Sequence, residues 1–139
     1  MNTIQQIQEE IIDEFAMFDD WMQRYEYIIE LGKSLPLIDE KYKIEENLIR
    51  GCQSKVWLHA EFNNDNIVFT ADSDAILTKG IIAVLIRTFS NQKPNDILNA
   101  NTAFIDEIGL KEHLSPTRAN GLVSMIKQIK LYAIALQPN

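Results

Sequence analysis

The strongest constraint on the fold is one tight turn. Asn63-Asn64-Asp65-Asn66 places four turn-forming residues between two β-rich runs, residues 56–62 and Ile67-Val68-Phe69-Thr70. An antiparallel hairpin is the natural reading. The chain on either side of it carries a helical period instead. Ile4, Ile7, Ile11, Phe15 and Phe18 recur at three and four, which predicts a helix over residues 4–18 opened by a Thr3/Gln6 capping box. Asp20 is placed to cap a second helix running through Leu31, with Gly32 to end it and Pro36 to keep the next segment non-helical. Residues 34–46 read as a charged loop. Residues 75–89 pull both ways: their β-branched content suits a strand, while their length and the possible caps Ser73 and Asp74 suit a helix. Length decides, and a buried helix is expected. A short helix follows near residues 94–98. Ser115 as N-cap, Pro116 at the first helical position, and one apolar face (Leu122, Met125, Ile126, Ile129, Tyr132, Ala133, Leu136) predict a final helix. The sum is an α+β fold: a small antiparallel sheet packed by several helices. Met17, Met22 and Met125 read as core filler, and Trp57 as core close in sequence to Cys52.

The 139 residues predict one domain spanning the chain, long enough for a real core. An apolar fraction of 46% argues against disorder. The net charge of −7, with no basic stripe, argues against nucleic acid as a partner. The start of the chain has neither the basic nor the apolar region of a secretory signal. The most apolar run, residues 80–86, is far shorter than the ~20 residues a membrane helix needs. A cytoplasmic protein without a membrane partner is therefore expected, and its one cysteine cannot form an internal disulfide.

That cysteine carries the chemistry. Cys52 lies in Ile49-Arg50-Gly51-Cys52-Gln53-Ser54-Lys55-Val56-Trp57, not in an apolar run. Gly51 frees the backbone and Gln53-Ser54 favour a loop. Arg50 and Lys55 flank the thiol, and nearby cations favour the reactive thiolate. One cysteine and two distant histidines give none of the close spacings of a zinc site, and no cofactor or phosphate-binding motif is visible.

Gly51-Cys52-Gln53-Ser54 followed by Val56-Trp57 resembles the signature of the SufE family, sulfur acceptors that partner cysteine desulfurases in iron–sulfur cluster assembly. Further matches run in family order. They are Tyr25-Glu26-Tyr27-Ile28-Ile29-Glu30-Leu31-Gly32, Asp72-Ser73-Asp74-Ala75 with Lys79-Gly80, Pro94 with Asp96-Ile97, and His113-Leu114-Ser115-Pro116-Thr117-Arg118 with Gly121-Leu122. The first helix and residues 101–112 match loosely. Ala71 stands where the family often has glycine, and Arg50 where glutamine also occurs.

The resemblance implies a SufE/IscU-like fold and a non-autonomous sulfur carrier. Cys52 would take persulfide sulfur from a SufS-type desulfurase, stimulate that enzyme, and pass the sulfur to a SufBCD-type scaffold. Pyridoxal phosphate would belong to the partner, with no cofactor on this chain, and the carrier would be a monomer docking on a dimeric desulfurase. The family's resting cysteine is tucked into an apolar pocket and its loop swings out to react. The resemblance also implies that Arg118 and Asp74 serve the partner interface and reactive loop, beside plainer roles as a surface arginine and a helix cap. Gln53 and Ser54 shape the Cys52 loop. His113 reads as structural, and His59 is given no role. Two other classes compete. A stand-alone thiol peroxidase or thioltransferase is disfavoured, because Cys52 has no resolving cysteine and no neighbouring histidine. A non-catalytic adaptor would keep its effect in Cys52→Ala.

Overall fold

The computed structural model describes residues 2–137. Helix α1 (Ile4–Ala16) opens with the expected capping box: Gln6 N donates to Thr3 Oγ1 at 3.2 Å and Thr3 N donates to Gln6 Oε1 at 2.9 Å. It stops two residues short of the expected end, where the Arg24 guanidinium donates to the Phe18 carbonyl. Ile4, Ile11 and Phe15 face the core. Met17 and Met22 do not: they are 72% and 68% exposed, on the outer side of the α1–α2 corner, so the core-filler reading fails for both. Met125 is buried as expected.

Helix α2 (Trp21–Gly32) is capped by Asp20, which accepts from Gln23 N at 2.8 Å. Gly32 does not end it in a left-handed turn. The helix does end at Gly32, its last residue, with Lys33 capping in the right-handed region. The glycine also serves packing. A Cβ on Gly32 would lie 3.0 Å from Gly80 N, and one on Gly80 would lie 2.2 Å from the Ile28 carbonyl oxygen. Two backbones touch here, which only glycine permits.

The hairpin forms as read. Strands β1 (Val56–Asn63) and β2 (Asn66–Ser73) pair antiparallel from Val56↔Ser73 to Asn63↔Asn66. Asn64 and Asp65 have φ of 52° and 69°, as a type I′ turn requires, and both residue types tolerate that region. The inner face is Val56, Leu58, Ile67, Phe69 and Ala71, all fully buried. Trp57 points to the other face, with Lys43 Nζ 5.5 Å from its ring centroid, and is neither core nor part of the Cys52 cavity. The segment after α2 is not only loop. Pro36 and Ile38 bond to both backbone groups of Ala71 at β2's free edge, and short 3₁₀ turns follow at Glu40–Tyr42 and Glu45–Asn47.

Residues 75–89 do form a helix, α3 (Ile76–Phe89), buried along almost its whole length and packed against α1, α2, β2 and the last helix. Neither expected side-chain cap engages it; the N-cap is Ala75, whose own N–H donates to Ser73 Oγ at 3.3 Å, while Asp74 turns to Lys55. Then come α4 (Pro94–Asn99), the unanticipated α5 (Phe104–Glu107), a 3₁₀ turn at Lys111–His113, and α6 (Pro116–Ala135). Ser115 caps α6 by accepting from Arg118 N at 3.3 Å. Leu122, Met125, Ile129 and Ala133 form its buried stripe.

Candidate functional site

The reactive loop is an excursion from the mouth of the sheet. Ile49 N donates to the Val56 carbonyl at 2.8 Å, so the chain leaves and re-enters at facing positions. The re-entry side has a second tie. Lys55 N donates to Asp74 Oδ1 at 3.0 Å, and Asp74 N donates to the Lys55 carbonyl at 3.3 Å. Asp74 therefore holds the foot of the loop and does not cap α3, which corrects the plainer of its two readings. Its near neighbour Asp72 forms a separate anchor, accepting from Lys43 Nζ at 2.7 Å and lying 3.3 Å from Lys79 Nζ. Burial pushes the Asp72 carboxyl up, but the Lys43 ammonium, the Ser73 N–H and Lys79 together outweigh it and hold the group below the usual carboxylate range.

The tip of the loop rests on α6. Gly51 has φ of +92°, a region other residues occupy at a cost, and a Cβ there would stand 2.5 Å from Ser124 Oγ. Its glycine is thus required by the shape of the closed loop as well as by any need to move. Cys52 is half-buried, and its Sγ lies 3.6 Å from the Gly121 carbonyl oxygen. A Cβ on Gly121 would come within 3.3 Å of that sulfur. So Gly121, in the first third of α6, is what allows the thiol to seat against the helix.

Below the thiol is a cavity of about 60 Å³. The loop contributes Cys52, Gln53 and Ser54; α3 contributes Thr78 and Ile81; α6 contributes Thr117, Arg118, Gly121 and Met125. The lining is mixed, with an apolar wall of Ile81 and Met125 and a polar wall of hydroxyl, amide and guanidinium groups. The purely apolar pocket expected from the resemblance is not present. Nor do the flanking cations act as expected. Burial pushes the Cys52 thiol up, while Arg50 and Lys55 are exposed and neither offsets it. In this closed arrangement the sulfur is held toward its protonated, unreactive form.

Of the residues singled out from sequence, Cys52, Gln53, Ser54 and Arg118 share the cavity, Gly51 abuts α6, Asp74 ties the loop foot, and Arg50 stays outside. His113 is structural: its ring stacks on Trp21 at 3.9 Å, Nδ1 lies 2.9 Å from the Gly109 carbonyl, and its own carbonyl accepts from the Tyr25 hydroxyl. His59 stacks on Tyr42 on the far face of the hairpin. Sequence reasoning passed over Thr78 and Ser124. A hydroxyl in the first turn of an otherwise apolar buried helix was the available signal for Thr78; Ser124 gave none. Among the described residues no cluster of His, Cys, Asp and Glu is assembled as a metal site, and no helix is long and apolar enough to cross a membrane.

The SufE Fe-S metabolism associated domain matches residues 9–133. The chain belongs to the SufE family. An uncharacterized SufE-like protein of Rhizobium meliloti (strain 1021) is 43% identical over 127 residues, covering 88% of this chain and 91% of its own. A second, from Rhizobium etli, is 44% identical over 128 residues, covering 88% and 86%. SufE-like protein 1, chloroplastic/mitochondrial, of Arabidopsis thaliana is 37% identical over 130 residues, which is 93% of this chain and 35% of that longer one. A solution structure of a hypothetical protein from Thermus thermophilus shares the fold, with a TM-score of 0.77 over 93% of this chain and 94% of that one at 17% identity. Membership in the SufE family places the protein in iron–sulfur metabolism, alongside a cysteine desulfurase.

Proposed function

We propose that this SufE-family protein is a cytoplasmic, monomeric sulfur carrier that takes sulfane sulfur from a SufS-type cysteine desulfurase onto Cys52 and delivers it to a SufBCD-type scaffold. The observation that carries the reading is the seat of the one cysteine: a thiol on a loop tied at its foot, resting on a glycine of α6, and pushed by burial toward its neutral form. Such a thiol is quiet until the loop opens. Opening returns it to water and lowers the cost of ionising it. The thiolate then attacks the outer sulfur of the desulfurase persulfide. A new S–S bond forms to Cys52, the old S–S bond breaks, and its electron pair leaves on the desulfurase thiolate. No oxidant is consumed. Pyridoxal phosphate stays with the desulfurase, and Cys52 needs no cofactor for the exchange. Closure afterwards shields a group that oxidises readily in the open.

Arg118 is exposed beside the cavity and, among the described residues, pairs with no carboxylate, which leaves its guanidinium available to a docked partner. Arg118→Glu is expected to weaken desulfurase binding while leaving the melting curve unchanged. The central test is intact-mass analysis after incubation with a SufS-type desulfurase, pyridoxal phosphate and cysteine, without reductant. A gain of one sulfur atom that is lost in Cys52→Ser supports the carrier. Turnover of a peroxide or small disulfide with no desulfurase present would favour the stand-alone thiol enzyme instead.

A further inference from the structure

Helix α3 buries two threonines, and they are used differently. Thr88 is fully buried and spends its hydroxyl on the Val84 carbonyl, 2.9 Å away and four residues back. Thr78 is only 6% exposed, yet its hydroxyl bonds to no group among the described residues. A buried hydroxyl without a partner costs stability. Among the described residues, no side-chain nitrogen or oxygen that is fully sealed from solvent lacks a hydrogen bond. The Thr78 hydroxyl therefore opens onto the space that the residue lines, the cavity under Cys52. A water needs about 10–15 Å³ of such space, and this cavity offers about 60 Å³.

We infer that this cavity is the seat of the outer sulfur of loaded Cys52, and that Thr78 is the residue that holds it there by hydrogen bond. The inference rests on Cys52 carrying sulfur, and it adds where the sulfur goes and what grips it. One additional sulfur on Cys52 fits with the loop closed. Ile81 and Met125 give that large, polarisable atom an apolar wall. Thr78 supplies an O–H donor, and Arg118 at the rim supplies positive charge for the anionic form. Filling the cavity gives the Thr78 hydroxyl, which bonds to no other group among the described residues, a partner carried by Cys52 itself.

The experiment loads the full-length protein with inorganic polysulfide. The Cys52 thiolate attacks a sulfane sulfur, a new S–S bond forms, and the adjacent S–S bond breaks with its electron pair leaving on the shortened polysulfide anion. The loaded protein is then challenged with cyanide, which takes the outer sulfur as thiocyanate and returns the thiol. Thr78→Val keeps the side-chain shape and removes the donor. It is expected to lose sulfur about tenfold faster than wild type, the scale of one hydrogen bond to a charged acceptor, and Thr78→Ser to restore the slow rate. Alkylation of the unloaded thiol should not change in either variant. Equal cyanolysis rates for wild type and Thr78→Val would overturn the assignment. So would a parallel rise in alkylation, which would signify a loosened loop, or failure of the folded wild type to retain polysulfide sulfur on Cys52. If polysulfide loads but the desulfurase does not, the partner reading falls while the Thr78→Val difference still supports the seat.

Discussion

Two close approaches in this molecule depend on glycine, and they are built for opposite ends. At the α2–α3 crossing, Gly80 meets the backbone of Ile28 and Gly32, deep in the core. At the reactive loop, Gly51 meets the Ser124 side chain and Gly121 meets Cys52. In the first contact the obstacle is helix backbone on both sides, fixed by two full sets of hydrogen bonds. In the second it is a side chain on one side and a short loop on the other. Crowding the first has no outlet, whereas crowding the second displaces the loop. The contrast shows how one fold can be rigid at its centre and still release a reactive group at its edge.

The sharpest way to break this comparison is Gly80→Ala. Its Cβ would stand 2.2 Å from the Ile28 carbonyl oxygen, so the helices must separate, at the upper end of overpacking costs, about 3 kcal/mol. Urea unfolding should show the stability fall by that amount. A midpoint near wild type would mean the crossing is softer than its geometry implies. Gly51→Ala comes next. It combines a left-handed backbone with the Ser124 contact and should cost about 1–3 kcal/mol if the closed loop is kept. A smaller loss accompanied by fast alkylation of Cys52 would mean that the loop has opened to escape the strain. Gly121→Ala should separate the two effects. Alanine favours the helix by about 0.5–1 kcal/mol, while its Cβ would be 3.3 Å from Sγ. Stability is expected to hold or rise slightly while iodoacetamide reacts with Cys52 several-fold faster. Unchanged alkylation would show that the loop does not depend on this contact.

The same contrast governs how much was readable from sequence. The hairpin turn, the capping box at Thr3 and the Ser115-Pro116 start of α6 rest on local backbone preference, the helical choice for residues 75–89 rests on length, and each appears where expected. The reactive loop was legible through Gly51-Cys52-Gln53-Ser54. What surrounds it was not, because those relations are tertiary. Gly32 does end α2, but nothing local announces that Gly80 will lie against it. Asp74 looked like a cap, since Lys55 is distant in sequence. Arg50 and Lys55 looked like activators, but adjacency in sequence puts them in solvent while the sulfur turns inward. Met17 and Met22 fell on plausible apolar faces, but the corner between α1 and α2 leaves them uncovered.

A pH profile sharpens the comparison further. Burial raises the Cys52 pKa in the closed loop. The preference of the folded state for the neutral thiol is therefore fully present below the unfolded thiol's pKa. It is lost as pH rises through the higher folded value, because the unfolded chain ionises first. Alkylation rate against pH should have its midpoint above that of an unfolded control, and Gly121→Ala should move it back down. A wild-type midpoint at or below the control would mean that the loop rests open in solution.

The smallest expected effect carries the most specific sign. Thr78→Val replaces a nearly buried hydroxyl, one that bonds to no other group among the described residues, with a methyl group of the same shape. If no group of the fold needs that hydroxyl, removing it should stabilise the protein by up to about 1 kcal/mol. The melting temperature would then rise by about 2–4 °C. A fall would mean that the hydroxyl has a structural partner within the fold, and the unloaded protein would have nothing left to offer an incoming sulfur. A rise, together with faster loss of sulfur from the loaded protein, would identify Thr78 as a polar group kept at some cost to stability for the sake of the cargo.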